Sequence, residues 1–333
     1  MLTKPNIPDE LIISRLQEEY DLHVTILTFL PIGADQGSAV YRVVMDDEAA
    51  YFLKLRKTFD EIIVQVPLFL KSRGIQEIIS PFETKSKQGW ADFGEYKMIL
   101  YPFIEGKNGF EMELSDQHKR TLGMAFKEIH SIQVPSELKR LIPQEIFSSK
   151  WRENLESLQA QVENKAFDDP SAAKLAEFLK SRRNETTHLV ERTGQLASNL
   201  QSKPFEFVLC HTDIHGGNIL ITENNDFYIV DWDAPLLAPK ERDLMFIGGG
   251  IDNLWKSEQE EALFYQGYGE TKIDLTTLAY YRYERIIEDL VAYGEQLLLT
   301  DEGGADRESA YRRFTSNFET DGTIEIAEKT LKR

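Results

Sequence analysis

Short apolar runs and polar breaks alternate along the first hundred residues. Val24–Leu30, Ala39–Met45 and Tyr51–Arg56 are β-rich and separated by acidic or Gly-containing turns, so each predicts a strand. Residues 8–20 carry helical spacing, and Asp60–Ser72 predicts a helix that Pro67 should kink or shorten. Two further strands are expected over Glu77–Thr84 and Glu95–Tyr101. Beyond Pro102 the period changes. Ser115 provides an N-cap for a helix running to about residue 133, with Leu122, Phe126 and Ile129 at helical spacing. Residues 150–200 read as charged and helical, and a compact β-rich stretch intervenes from Phe207. From Tyr280, the positions Tyr283, Ile286, Ile287, Leu290, Val291, Leu297 and Leu298 follow helical periodicity. The pattern predicts an α+β chain of two lobes: a small β-rich N-lobe (1–101), a hinge (102–106) and a larger helical C-lobe (107–333) with a β insert.

Composition narrows the function classes. The chain has 333 residues, 41% of them hydrophobic and 11% aromatic, which excludes a disordered segment and leaves room for two cores. Thirty-eight Lys and Arg stand against 56 Asp and Glu, a formal net charge of −18. Such a balance argues against nucleic acid or an anionic membrane as partner, because phosphate contacts need clustered cations. It suits a cationic or metal-bound ligand. Cys210 is the single cysteine, so neither an intrachain disulfide nor a thiolate zinc site can form. Met1–Asp21 lacks the apolar stretch of a signal peptide, and no window of 18 apolar residues suggests a membrane span. A cytoplasmic monomer is the expectation.

Chemistry concentrates in Leu209–Asp233, where two apolar edges pin a polar loop. The loop holds His211, Asp213, His215, Gly216, Gly217 and Asn218, and Asp231 and Asp233 follow the apolar run Phe227–Val230. A lone Asp at a strand end is explained by a turn or cap. His211, Asp213, Asn218 and Asp231 together are not, because they reproduce the H-x-D-x-x-x-x-N spacing of kinases, with a second Asp thirteen residues on. Mg²⁺ needs a carboxylate and an amide oxygen, which Asp231 and Asn218 supply, while Asp213 is left to accept a hydroxyl proton.

HTDIHGGN followed by IVDWD resembles the aminoglycoside phosphotransferase family, kinase-like enzymes that phosphorylate antibiotics, choline and related small molecules. The runs Ile99–Gly106 and Pro239–Gly250 extend that resemblance over nearly the whole chain, toward the branch that acts on spectinomycin. The resemblance implies a bilobal protein-kinase-like fold, ATP and Mg²⁺ as cofactors, and a cationic aminocyclitol such as spectinomycin as acceptor. Asp233 is implied as a further metal ligand. Adenine would meet the Pro102 carbonyl and the Ile104 N–H, with Tyr101 and Phe103 lining the pocket.

Lys54 sits inside the apolar strand run, where an ammonium needs partners; ATP phosphates and Glu61 (Asp60 second) are the candidates. Gly33, Gly37 and Ser38 lie between two strands ahead of Lys54 and suit phosphate approach. His211 and His130 read as internal braces, His215 as a residue of unknown direction, Cys210 as a small buried hydrophobe, and Asp243 as a scaffold acceptor. Acceptor recognition is assigned to Asp252, Trp255, Glu284 and Glu288, the last two sharing a helix face with no intervening cation. Two alternatives stay open: a kinase for choline, homoserine or a sugar, and a non-catalytic kinase-like binding protein. The presence of Lys54, Asp213, Asn218 and Asp231 together disfavours the second.

Overall fold

The computed structural model describes residues 4–32, 37–251, 257–300 and 306–332. Helix α1 (Asp9–Tyr20) precedes strands β1 (Val24–Leu30), β2 (Ser38–Met45) and β3 (Ala50–Arg56), then helix α2 (Ile62–Ser72) and strands β4 (Ala91–Phe93), β5 (Tyr96–Pro102) and β6 (Gly106–Asn108). Helices α3 (Asp116–Ser131), α4 (Ser136–Leu141), α5 (Lys150–Asn164), α6 (Pro170–Ser181) and α7 (Arg183–Gln201) lead to strands β7 (Val208–Cys210), β8 (Ile219–Thr222), β9 (Phe227–Ile229) and β10 (Leu236–Ala238). Helices α8 (Glu241–Leu244), α9 (Glu258–Tyr268), α10 (Leu275–Leu298), α11 (Asp306–Ser316) and α12 (Thr323–Thr330) complete the chain. The α+β class expected from sequence is the one observed.

Two compact units divide the chain, and neither is continuous in sequence. The first comprises Met1–His118, Ala125–Pro143 and His211–Leu236; the second comprises Lys119–Met124, Gln144–Cys210 and Leu237–Arg333. In the first, an antiparallel five-stranded sheet runs β1-β2-β3-β5-β4. Side-chain alternation sorts its faces. Tyr41 and Val43 of β2, Leu53 and Leu55 of β3, and Met98 and Leu100 of β5 pack with Ile12 and Leu16 of α1. Each such apolar side chain contributes about 1.5–3 kcal/mol when fully buried, so the register is pinned, and Lys54 and Arg56 are forced onto the opposite face. A three-stranded sheet β6-β8-β9 belongs to the same unit and carries the polar loop.

Two local expectations change. Glu77–Thr84 forms no strand: Ile78 makes one isolated bridge to Ile229, and Phe82 N–H donates singly to the Leu100 carbonyl (2.7 Å). The outer edge of β5 is occupied instead by β4, and Pro81 has no N–H to give a ladder. Helix α2 begins at Ile62 instead of Asp60 and runs through Pro67 to Ser72.

In the second unit, α10 is the central helix. Leu278, Ala279, Ile286, Ile287, Leu290 and Val291 are buried, and it packs on α5, α6, α7, α8, α11 and α12. Its buried Arg282 donates to the Met245 carbonyl (3.1 Å), the Ile247 carbonyl (2.7 Å) and Thr330 Oγ1 (2.7 Å), fixing the segment after α8. The charged stretch from residue 150 divides where Asp169 caps α6 with Pro170 at its first position. Among the described residues, no helix is long and apolar enough to cross a membrane.

Candidate active site

The first unit brings Lys54, Asp213, Asn218, Asp231 and Asp233 into one connected set. His211 is the pin. Its Nδ1 accepts from the Asp213 N–H (3.2 Å), which places its proton on Nε2, 2.9 Å from the Val230 carbonyl. Trp232 stands edge-on to the buried imidazole at 4.5 Å. One side chain thus ties the segment bearing Asp213 to the segment bearing Asp231. A backbone bond from Val230 N–H to the Asn218 carbonyl (3.0 Å) adds a second tie. The bracing role expected of His211 matches this geometry. Buried His130, edge-on to Phe126 at 5.7 Å, is likewise interior.

Backbone strain aims the carboxylates. Thr212 has φ 76° and Asp231 has φ 66°. A left-handed Asp is tolerated, but a β-branched Thr is strained there. Thr212 Oγ1 compensates by donating to the Ala234 carbonyl at 3.0 Å. Asn218, closing the 3₁₀ turn Gly216–Asn218, turns its Nδ2 to the Asp213 carbonyl (2.8 Å) and toward Asp213 Oδ2 (3.4 Å). Its Oδ1 is then the atom left for a cation. With the carboxylates of Asp231 and Asp233, this is the hard-oxygen donor set that Mg²⁺ prefers, so the residues fit the metal.

Lys54 Nζ lies 3.2 Å from Asp231 Oδ1 and 3.0 Å from Asp233 Oδ2. The Arg56 guanidinium meets Asp233 Oδ1 at 2.6 Å. Burial opposes ionisation of Asp231, but the Lys54 ammonium and hydrogen bonding with Asp233 outweigh it, holding the carboxyl below its usual range. The structure does not bring Glu61 to Lys54. Glu61 is exposed at the α2 N-cap, and the lysine's carboxylate partners come from the loop after β9. Arg56 is a site residue that the sequence motifs do not mark. The two-residue period of β3 was the available signal, because it puts Arg56 on the Lys54 face.

Ser38 opens β2 opposite Arg56, and Gly37 just before it has its carbonyl accepting from Lys57 N–H at 2.9 Å. Gly33, Asp252 and Trp255 lie outside the described residues. Tyr101 and Pro102 end β5, and the Phe103 N–H is taken by the Ala50 carbonyl (3.3 Å). Arg42 crosses the Phe103 ring at 4.9 Å and pairs with Glu105 at 2.8 Å. Desolvation, with Asp233 and Asp231 nearby, pushes the Tyr101 phenol well above its usual range.

Glu284 and Glu288 do share a face of α10, in the second unit. The expectation of a face without a cation is corrected: Arg242 of α8 lies 3.9 Å from Glu288 and rests against the Tyr281 ring at 5.6 Å. Glu284 accepts from the Tyr280 hydroxyl at 2.6 Å, and burial pushes its carboxyl up to about 7 against the opposing pull of Arg242. A proton held to about 7 in the folded chain is lost near 4.5 in the unfolded one. Stability from this group is therefore full below about 4.5 and lost as pH rises to about 7, by on the order of 1–3 kcal/mol. Glu284→Gln is expected to match the parent's melting temperature near about pH 5 and to exceed it by a few degrees at about pH 8. An offset identical at both pH values would refute this assignment. Cys210 is fully buried with its thiol 3.7 Å from the Pro239 carbonyl, and burial pushes its titration up; it is the small buried hydrophobe expected.

A sequence model of the phosphotransferase enzyme family (APH) matches residues 28–272. Spectinomycin phosphotransferase APH(9)-Ia, solved with ADP and spectinomycin, is 36% identical and aligns with a TM-score of 0.91 over 99% of this chain and 100% of that one. Its AMP-bound complex aligns at 0.85 over 96% of this chain and 98% of that one, again at 36% identity. Amicoumacin kinase hAmiN, at 16% identity and a TM-score of 0.63 over 97% and 94% of the two chains, shares the fold. No curated protein sequence matches the chain. The kinase-like fold, the match over most of the chain and the near-complete alignment at 36% identity agree: this chain belongs to the phosphotransferase enzyme family and is a small-molecule phosphotransferase.

Proposed function

We propose that the chain transfers the γ-phosphoryl group of ATP to a hydroxyl of an amine-bearing aminocyclitol, spectinomycin foremost. The observation that carries this reading is the pairing of Lys54 with Asp231 and Asp233, beside an Asn218 amide anchored on Asp213. The relative at 36% identity was solved with ADP and spectinomycin, which supports both substrates.

Asp213 orients the acceptor hydroxyl and takes its proton as the phosphoryl group transfers in line. Lys54 turns from the aspartates to α- and β-phosphate oxygens, with Gly33, Gly37 and Ser38 alongside. Asn218, Asp231 and Asp233 would hold Mg²⁺, which would neutralise charge on the phosphates. Adenine meets the Pro102 carbonyl and Ile104 N–H in a 102–106 hinge, between Tyr101 and Phe103; with the Phe103 N–H already engaged, its neighbours do the recognition. Asp252, Trp255, Glu284 and Glu288 contribute to the acceptor site, the two glutamates as a mixed-charge group with Arg242. Most of the acceleration then comes from positioning and charge neutralisation.

The test is ADP release from ATP and MgCl₂ with spectinomycin, choline, homoserine or glucose, with the product read by ³¹P NMR. Spectinomycin-dependent release and a new phosphomonoester resonance are expected. Faster turnover of choline, homoserine or glucose, or no acceptor-dependent release at all, overturns the aminocyclitol assignment.

A further inference from the structure

We infer that His215 is a positioning residue for phosphoryl transfer, which presents its Nε2–H to the Asp213 carboxylate across a long contact and biases its orientation. The inference rests on Asp213 being the base. His215 Nε2 lies 3.5 Å from Asp213 Oδ2. The other ring nitrogen settles the tautomer: Nδ1 accepts the Gly217 N–H at 3.0 Å, so the proton of a neutral ring is on Nε2 and faces the carboxylate. The same bond caps the 3₁₀ turn Gly216–Asn218, which links the imidazole to the turn that presents Asn218.

The ring's plane is fixed from a second direction. Phe110 stacks on it, with centroids 5.6 Å apart and an interplanar angle of 17°. Phe110 is itself placed by a turn, in which Asn108 Oδ1 accepts from the Phe110 N–H (2.9 Å) and the Glu111 N–H (3.2 Å). Gly109 N–H then fastens that turn to the Gly216 carbonyl at 2.8 Å. The stack closes tightly on Gly217, where a Cβ would stand 2.8 Å from His215 Cε1 and 2.9 Å from Phe110 Cε2. A histidine needed only as a turn cap has no use for a stacked aromatic that fixes its far nitrogen on the base. A base constrained in this way enters the reaction already oriented, which lowers the barrier without altering nucleotide binding.

The side chains of Asn and Gln separate the two jobs. In His215→Asn the amide oxygen still caps the Gly217 N–H, but the side chain is too short to reach Asp213. In His215→Gln an amide N–H still reaches Asp213. With ATP, MgCl₂ and the fastest acceptor of the panel above, His215→Asn is expected to lose roughly 10- to 100-fold in kcat, with KM for ATP within about twofold. His215→Gln is expected to recover most of that loss. A His215→Asn enzyme within about twofold of the parent in kcat overturns the inference, as does a His215→Gln enzyme no faster than His215→Asn at equal melting temperature. Asp213→Asn measured alongside separates the two readings. Its inactivity with a fully active His215→Asn removes the His215 role alone, whereas an active Asp213→Asn removes the base assignment beneath it.

Discussion

Asp213→Asn is expected to slow phosphoryl transfer by about 10³-fold, within the range typical of a lost general base, while ATP affinity changes by no more than about threefold. The substitution keeps the shape and removes the proton acceptor. The backbone contacts that define the loop survive it, because Asp213 N–H donates to His211 Nδ1 and the Asp213 carbonyl accepts from Asn218. The two side-chain contacts at Oδ2, from Asn218 at 3.4 Å and His215 at 3.5 Å, are long and together contribute little to stability. A melting temperature close to the parent's is therefore part of the expectation, and it distinguishes lost chemistry from a lost fold. Calorimetric titration with a non-hydrolysable ATP analogue, paired with steady-state kinetics, checks it. A variant that keeps a tenth or more of parental kcat sinks Asp213 as the base.

Much of this site is legible along the chain, and the reason is chemical. The H-x-D-x-x-x-x-N run is local, so the residue types that hold a metal and take a proton appear at fixed spacing, and folding only has to bend one loop. The sheet is equally legible where one face is buried: Tyr41, Val43, Leu53 and Leu55 alternate with residues of the other face. Legibility stops at contacts made across the sequence. The pattern matches Lys54 to Glu61, seven positions away, because helix and strand neighbours are what a pattern can rank. Its partners stand 177 and 179 positions away, on a segment whose left-handed Asp231 nothing in the local sequence announces. Glu284 and Glu288 fail in the same manner. Their spacing fixes a shared helix face, but the cation on that face arrives from Arg242, outside the helix altogether. Glu77–Thr84 shows the converse, a segment with strand composition whose place on the β5 edge is taken by β4.

Lys54→Met should move two ligands in opposite directions, and that opposition separates a functional lysine from a structural one. The Lys54 ammonium bridges Asp231 and Asp233, at 3.2 and 3.0 Å. These are carboxylates assigned to the metal, so a divalent ion arriving without nucleotide must compete with the lysine for them. Removing the ammonium leaves Asp233 paired with Arg56 at 2.6 Å and releases Asp231 from the lysine. Mn²⁺ alone is accordingly expected to bind Lys54→Met about tenfold more tightly than the parent, roughly 1.4 kcal/mol, as read by the free-ion EPR signal. Nucleotide has the reverse dependence, because the lysine that guards the aspartates is the one assigned to its phosphates. ATP affinity is expected to fall about tenfold and kcat by about 10²–10³-fold, the loss usual for one preorganised charge at a reacting group. The pair is partly exposed, with 16% of the Lys54 side chain and 45% of the Asp231 side chain accessible, so the folded state itself should weaken by no more than about 1 kcal/mol. If Mn²⁺ and ATP both bind more weakly to Lys54→Met, the lysine is a scaffold for the loop and does not exchange between aspartates and phosphates.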